Sequence, residues 1–147
     1  MCELKEMLMP LWTIHHSAGV YSDNDKQALA AAIVQLYPIL PKFYVGTAFH
    51  EHAPSTLFIG GKPVENFVRI SVDHIARQFS DEALVDRWLG MVGDVFRPFT
   101  TDRGLDWELH IDETPFKLWL IQGMRPPLPN TEQEKIWMAE NRPVVPA

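Results

Sequence analysis

Several features that would assign a protein to a common functional class are missing from this sequence of 147 residues. Its one cysteine, Cys2, excludes an internal disulfide. No apolar run approaches the roughly 20 residues that span a bilayer, and the opening CELKEMLM lacks the apolar core of a secretory signal. With 13 basic and 19 acidic residues, the net charge of −6 argues against a nucleic-acid partner. We therefore expect a cytoplasmic protein that binds neither nucleic acid nor membrane.

Motifs for cofactors and metals are missing as well. No glycine-rich phosphate loop joins a strand to a helix, and no G-x-S-x-G turn is present. His15 and His16 are adjacent on a strand and must point to opposite faces of it. His50 and His52 share a face, but no third ligand stands at a diagnostic spacing. We predict no cofactor and no metal site.

The residues that are present predict a repeated strand–helix–strand unit. PLWTIHH and KFYVGTAFHEHAP are typical of strands, and DKQALAAAIVQLY between them predicts a helix that begins after Ser22 or Asp23. After Gly60–Pro63 the same order returns in NFVRISVDHIA, FSDEALVDRWLGMVGDVFRP and DWELHIDETP. With 46% hydrophobic residues, the chain can form one ordinary core. We predict an α+β fold in which tandem βαβ units form one four-stranded sheet with both helices on one face.

Apolar residues recur with the helical period in both predicted helices. The predicted inward residues are Leu29, Ala32, Ile33, Leu36, Leu84, Trp88, Leu89, Val92 and Phe96. Four strand residues also fall on one side of the sheet: Trp12, Ile14, Ile70 and Val72. We expect the face opposite the helices to need cover for this reason, which predicts an oligomer.

The two ends of the chain differ from the middle. We predict a leader at residues 1–9 that the mature protein need not keep, the double βαβ domain at residues 10–125, and a proline-rich arm of the same domain at residues 126–147. The arm contains a predicted amphipathic helix around Glu132–Glu140. We expect it either to lie on a neighbouring copy or to form a loosely packed tail.

The pair Met9-Pro10 at the start of the first strand has two readings. If synthesis starts at Met9 and the methionine is removed, Pro10 carries a free secondary amine that can act as a base. If the chain begins at Met1, the Pro10 nitrogen is a tertiary amide without a basic lone pair. In that case Pro10 is an ordinary residue at the start of a strand.

Together these segments resemble the tautomerase superfamily, and more narrowly its cis-3-chloroacrylic acid dehalogenase-like branch. The resemblance rests on the Met-Pro strand, the doubled βαβ, the Phe58–Gly61 turn and the Trp107–Pro115 strand. The motifs GGKP, DWELHIDETP and EKIWMAENRP are similar to fungal proteins of the oxalocrotonate tautomerase type, and the likeness runs from Pro10 to about Pro143. It implies a cofactor-free homotrimer whose sheets line a central barrel. An amino-terminal proline would move a proton between oxygen and carbon of a small anionic keto or enol acid.

The family's site residues match five positions of this chain. Pro10 would be the catalytic base or acid. His74 and Arg77 stand where the family has two arginines that hold the substrate carboxylate, so one cation is kept and one is a histidine. Tyr37 matches a histidine at a helix end. His110 matches a tyrosine on the last strand, and we expect it to donate to the enol oxygen.

One departure from the family decides which reaction we expect. The glutamate that activates water in the dehalogenases matches Ile121 here, so the addition of water has no evident base. The resemblance therefore favours an enzyme that interconverts keto and enol forms, and it argues against dehalogenase or hydratase activity.

Two further expectations remain open at this point. Arg69 lies on the opposite side of its strand from Ile70 and Val72, and we expect it to form a structural or intersubunit ion pair rather than to bind substrate. The alternative function is a protein of the same fold without proline chemistry. Such a protein would serve as a binding or assembly module, or would use its histidines for another reaction.

Overall fold

A computed structural model describes residues 8–76 and 81–146 of the chain. Within these ranges no helix is long and apolar enough to cross a membrane. The elements are β1 (Leu8–Ser17), α1 (Asp23–Val34), β2 (Gly46–His52), β3 (Phe58–Ile59), β4 (Lys62–Pro63), β5 (Phe67–Ala76), α2 (Glu82–Phe96), β6 (Asp106–Thr114) and α3 (Glu132–Glu140).

Four strands form one mixed sheet in the order β2-β1-β5-β6. β1 is parallel to β2 and β5 is parallel to β6, while β1 and β5 are antiparallel. Each parallel pair is connected through a helix, so the two βαβ units lie side by side and the predicted fold class is confirmed. The short β3–β4 hairpin turns at Gly60 and Gly61, whose φ angles of 60° and 79° favour glycine.

The ends of the first unit's elements differ from the predicted ones. α1 is capped by Ser22, whose side chain accepts from the Asp25 backbone while the Asp25 carboxylate accepts from the Ser22 backbone. The helix ends at Val34 rather than Tyr37, since Pro38 disfavours a helical residue before it. β2 begins four residues later than Lys42, because Lys42–Tyr44 forms a 3₁₀ turn.

The helices cover the apolar face of the sheet. Trp12, Ile14, Ile70 and Val72 are all at 0% exposure, and Trp12 stacks on Phe96 of α2 at 5.6 Å between ring centroids. The expectation that these four residues make a face in need of another copy is therefore wrong. Both βαβ crossovers place their helices on this side, and the uncovered face of the sheet is mainly polar.

The buried stripe of α2 is narrower than predicted. Leu84, Trp88, Val92 and Phe96 are buried, but Leu89 is 39% exposed. Residues four apart lie along one helical face, whereas Leu89 is displaced by about 100° from Trp88 around the helix. Leu89 therefore lies at the edge of the contact with the sheet.

α3 packs on its own chain. Trp137 is 1% exposed, lies 6.0 Å from Phe43 between ring centroids, and donates through Nε1 to the Val144 carbonyl at 2.9 Å. The Phe43 amide donates to Asn141 Oδ1 at 3.0 Å. The C-terminal segment is thus neither a loose tail nor an arm that rests only on a neighbour.

Candidate functional site

Pro10 lies at the buried, helix-covered face of the sheet. It is the third residue of β1 and is paired across the antiparallel β1–β5 ladder with His74. Residues directly opposite in such a ladder have Cβ atoms about 5 Å apart, so the two rings are neighbours. Before Pro10 the strand continues, with Leu8 opposite Ala76 and Met9 opposite Ile75. In this chain the Pro10 nitrogen therefore belongs to a peptide bond.

A hydrogen-bonded chain of three side chains starts at His74. Its Nε2 lies 2.8 Å from the Tyr37 hydroxyl, and Trp12 Nε1 donates to the same hydroxyl at 3.2 Å. Indole N–H can only donate, so the phenolic oxygen is the acceptor there. The arrangement that uses every group has Tyr37 donating to His74 Nε2, which leaves the imidazole proton on Nδ1.

Burial makes this chain electrically neutral. His74 is at 0% exposure, and desolvation lowers its pKa to about 4. Burial also raises the pKa of Tyr37 far above its ordinary value, so the phenol keeps its proton. Trp88 packs against the same imidazole, with its ring centroid 5.0 Å from that of His74. His74 can therefore offer hydrogen bonds near neutral pH but not a positive charge.

A surface cleft of about 470 Å³ opens beside Tyr37. Its walls include Leu40, Lys42, Met138 and Asn141. Lys42 contributes a cation that could attract an acid. The sequence alone did not indicate this cleft, because Met138 and Asn141 reach it only through the docking of α3.

His110 lies on the other face of the sheet from Pro10. It is exposed and pairs with Ser71, its Nδ1 accepts from Arg69 Nη2 at 2.9 Å, and its Nε2 lies 3.3 Å from Asp112 Oδ2. Arg69 also forms an ion pair with Glu108, as expected of a structural residue. Within one protomer the structure does not bring His110 together with Pro10.

Two other positions from the family pattern need separate mention. Arg77, the expected carboxylate anchor, lies outside the described residues. Ile121, at the position of the family's water-activating glutamate, is half-buried and forms an isolated bridge with Met124. An aliphatic side chain there supplies no base.

A group of three histidines lies on the uncovered face, where the sequence predicted only two. His15 is the register partner of His50, with ring centroids 4.9 Å apart, and its Nδ1 lies 2.9 Å from His52 Nε2. Burial lowers the pKa of His15, and the neighbouring His50 and His52 lower it further. His16 points the other way, as predicted, and its Nδ1 donates to the Ser17 carbonyl at 3.0 Å. The H-x-H spacing was visible in the sequence, but the β1–β2 register was not.

Residues 9–142 match the family model Tautomerase_3, described as "Putative oxalocrotonate tautomerase enzyme". The chain belongs to this tautomerase family. The resemblance drawn from its motifs is confirmed. Among curated proteins, none matches the chain.

Two solved structures resemble the chain in both sequence and fold. RhCC from Rhodococcus jostii RHA1 is 40% identical, with 92% of this chain and 99% of RhCC covered and a TM-score of 0.88. A probable enzyme from the thermophilic fungus Aspergillus fumigatus is 38% identical, with 95% and 99% covered and a TM-score of 0.91.

More distant tautomerase-fold proteins share the architecture alone. N1, a member of the cis-3-chloroacrylic acid dehalogenase family, is 18% identical, with 89% of this chain and 97% of N1 covered and a TM-score of 0.69. A fused 4-OT described as a symmetric trimer is 18% identical, with 73% and 87% covered and a TM-score of 0.59. Trimers thus occur among proteins of this fold.

Proposed function

We propose that this tautomerase-family protein, when its chain begins at Pro10, is a cofactor-free enzyme that interconverts keto and enol forms of a small α-keto acid. The observation that carries the proposal is the place of Pro10, buried on the helix-covered face and directly opposite His74. The family match begins at Met9, the residue before it. Removal of the residues up to Met9 would turn the amide nitrogen into a secondary amine.

The surroundings suit an amine that acts near neutral pH. The rings of Tyr37 and Trp88 pack against His74, Trp12 donates to the Tyr37 hydroxyl, and His74 itself is neutral. Such a pocket disfavours the charged ammonium form and lowers the pKa of the amine toward neutrality. The neutral amine would take the proton from the enol oxygen. As an ammonium ion it would then deliver that proton to the carbon at the other end of the enol double bond, and it would return to its neutral form.

In this proposal, one residue binds the substrate through a neutral hydrogen bond and another residue binds its carboxylate through a positive charge. His74 would offer a neutral hydrogen bond to the polar end of the substrate, because burial keeps its imidazole uncharged, and Tyr37 would hold that ring in place through the proton it donates to His74 Nε2. The positive charge that holds the carboxylate would come from Arg77. Arginine suits that task, since its guanidinium binds a carboxylate through two parallel hydrogen bonds.

His110 requires a second protomer in the proposed mechanism. Its ring lies on the uncovered face, held by Arg69 and Asp112. It could donate to an enol oxygen only in a pocket that a neighbouring copy completes. We propose a homotrimer for this reason, and the trimeric fused 4-OT of the same fold supports it.

Phenylenolpyruvate is a suitable probe, because its conversion to phenylpyruvate can be followed by ultraviolet absorbance. Three proteins would be compared after intact-mass confirmation of their first residue: the chain that begins at Pro10, the same chain with Pro10→Ala, and the chain that begins at Met1. We expect the first to ketonise the probe at least about 100 times faster than the other two, the usual size of a general acid–base contribution.

Each comparison isolates one requirement. The chain that begins at Met1 keeps Pro10 but blocks its nitrogen, whereas Pro10→Ala keeps an amino terminus but removes the proline ring. Equal rates for the Pro10 chain and its alanine variant would exclude the proline mechanism.

One observation favours a second function, that of a binding or assembly module. β1 extends through Met9 and Leu8, which pair with Ile75 and Ala76, so residues before Pro10 already have a place in the sheet. A chain that keeps them has no amine at Pro10. Intact mass of the protein from its own source distinguishes the two, since a first residue of Met1 or Cys2 excludes Pro10 as the base.

A further inference from the structure

The three-histidine group on the uncovered face belongs to neither proposed function. It consists of His15 on β1 and His50 and His52 on β2. His15 is five residues beyond Pro10, about 17 Å along the strand, and it points to the other side of the sheet. The group is therefore separate from the proline pocket.

Strand geometry alone brings these rings together. His50 and His52 are two residues apart and project from the same face, and His15 lies directly across the parallel ladder from His50. The rings of His50 and His52 lie 4.9 Å and 5.1 Å from that of His15. Because all three side chains start from regular strands, their Cβ positions are fixed and only the rings need to turn.

The separations are close to those of a metal site. Zinc binds imidazole nitrogen at about 2.0–2.1 Å in tetrahedral geometry, which places two ligand nitrogens about 3.3 Å apart. His15 Nδ1 and His52 Nε2 are 2.9 Å apart. As the side chains now stand, no group of three or more His, Cys, Asp or Glu among the described residues could hold a metal ion, so the three rings must turn before an ion can bind. The His15–His52 hydrogen bond occupies the lone pair that a metal would use.

The neighbouring positive charge, that of Arg69, does not point at the three rings, so it repels a bound cation only weakly. Arg69 is the cross-strand partner of His15 on β5, but its guanidinium is turned toward Glu108 and His110 on β6. The carboxylate of Glu108 partly balances its charge. Within one protomer His50 is exposed and His15 and His52 are half-buried, so an ion can reach the rings from the uncovered face.

We propose that His15, His50 and His52 bind a divalent transition-metal ion that is neither hard nor soft as a Lewis acid, such as Zn²⁺ or Ni²⁺. Imidazole nitrogen suits these ions, and three protein ligands with water in the fourth position are an established zinc arrangement. The ion replaces the His15–His52 hydrogen bond and ties β2, an edge strand of the sheet, to β1. Because it links two strands, the ion stabilises the sheet, and it lies apart from the proline pocket on the other face.

Calorimetric titration of the full chain with Zn²⁺, and separately with Ni²⁺, tests the site. We expect one ion per protomer and a rise in melting temperature on binding. His52→Ala, His50→Ala and His15→Ala should each weaken binding at least about tenfold, because even the loss of a partner that only orients a metal ligand costs that much. None of these side chains is fully buried, so the variants should fold.

His110→Ala is the matched control, because it removes an exposed histidine from the same face on β6. It should leave the affinity for Zn²⁺ unchanged. Equal affinity in wild type and all three variants, or no saturable binding to wild type at micromolar Zn²⁺, would overturn the proposal. Loss of binding in His110→Ala alone would place the ion elsewhere and overturn it equally.

Discussion

On the helix-covered face of the sheet, His74 is buried among aromatic side chains. On the uncovered face, His15 lies beside His50 and His52. His74 is at 0% exposure and its pKa is lowered to about 4, mainly by burial. His15 is half-buried, and the pKa of its imidazole is lowered both by burial and by His50 and His52. The same residue type thus forms a single neutral hydrogen-bonding group on one face and part of a cluster of nitrogen ligands on the other.

This difference shows that the environment, rather than the residue, sets what each histidine can do. Around His74 the partners include the phenol of Tyr37 and the indole of Trp88, and the imidazole is at 0% exposure. Around His15 the partners are other imidazoles with access to solvent. The low dielectric of the covered face suits the proposed proton transfer, and the solvent access of the uncovered face suits the proposed binding of an ion.

The largest expected difference between the faces is in packing. Trp12→Ala should lower the free energy of unfolding by about 3–5 kcal/mol, because it leaves a cavity beside Trp88 and Phe96 and removes a donor from Tyr37. Urea unfolding at one protein concentration measures this, since association would add to the apparent stability.

The control for this prediction is the next residue of the same strand. Thr13→Ala changes a half-buried side chain on the uncovered face and should cost less than about 1 kcal/mol. Similar losses for both variants would contradict the assignment of the two faces.

The next largest expected effect is that the free energy of unfolding depends on pH, because His74 is buried on the covered face. The unfolded chain binds a proton at His74 near pH 6.5, whereas the folded chain binds it only near pH 4. The unfolded state therefore holds more protons in this window, and stability falls as the pH drops from about 6.5 to about 4. His74 should account for about 3 kcal/mol of that loss, and His16, whose pKa burial also lowers, adds in the same direction.

Denaturant titrations at several pH values would show this loss, and His74→Gln separates the contribution of His74 from that of the other groups. The variant has no titrating group at this position, so its stability should change less steeply between pH 6.5 and pH 4. An unchanged slope in His74→Gln would show that burial of His74 is not its cause.

A smaller effect concerns a single hydroxyl. Tyr37→Phe leaves His74 Nε2 and Trp12 Nε1 without the partner they share, and a buried group without its hydrogen bond costs about 1–3 kcal/mol. We expect the free energy of unfolding to fall by that amount, with little change in the fold as judged by near-ultraviolet circular dichroism.

Tyr44→Phe sharpens this comparison. Tyr44 is also at 0% exposure, but its hydroxyl has no hydrogen-bond partner among residues 8–76 and 81–146. Its removal should leave stability unchanged or raise it slightly. If Tyr44→Phe were as costly as Tyr37→Phe, the cost would come from the ring environment rather than from the hydrogen bonds.

Patterns within a few residues of the sequence predicted the secondary-structure elements and their order. Alternation placed Trp12 and Ile14 on one side of β1, and the repeated order of elements predicted both βαβ units. The predicted N-cap of α1 was Ser22 or Asp23, and the structure has Ser22. Side-chain alternation also placed Arg69 on the face away from the core. On that face it forms its ion pair with Glu108. These features depend on backbone periodicity and on local hydrogen bonds, which neighbouring residues determine.

The meeting of distant residues was decided only by the tertiary structure. The antiparallel register of β1 and β5 sets Pro10 against His74, and the chain beyond α1 brings the Tyr37 hydroxyl to His74. The parallel register of β1 and β2 completes the histidine group with His15, which no spacing in the sequence revealed. Register and helix placement follow from the burial of the whole apolar face rather than from any one segment, so local patterns carry too little information to predict them.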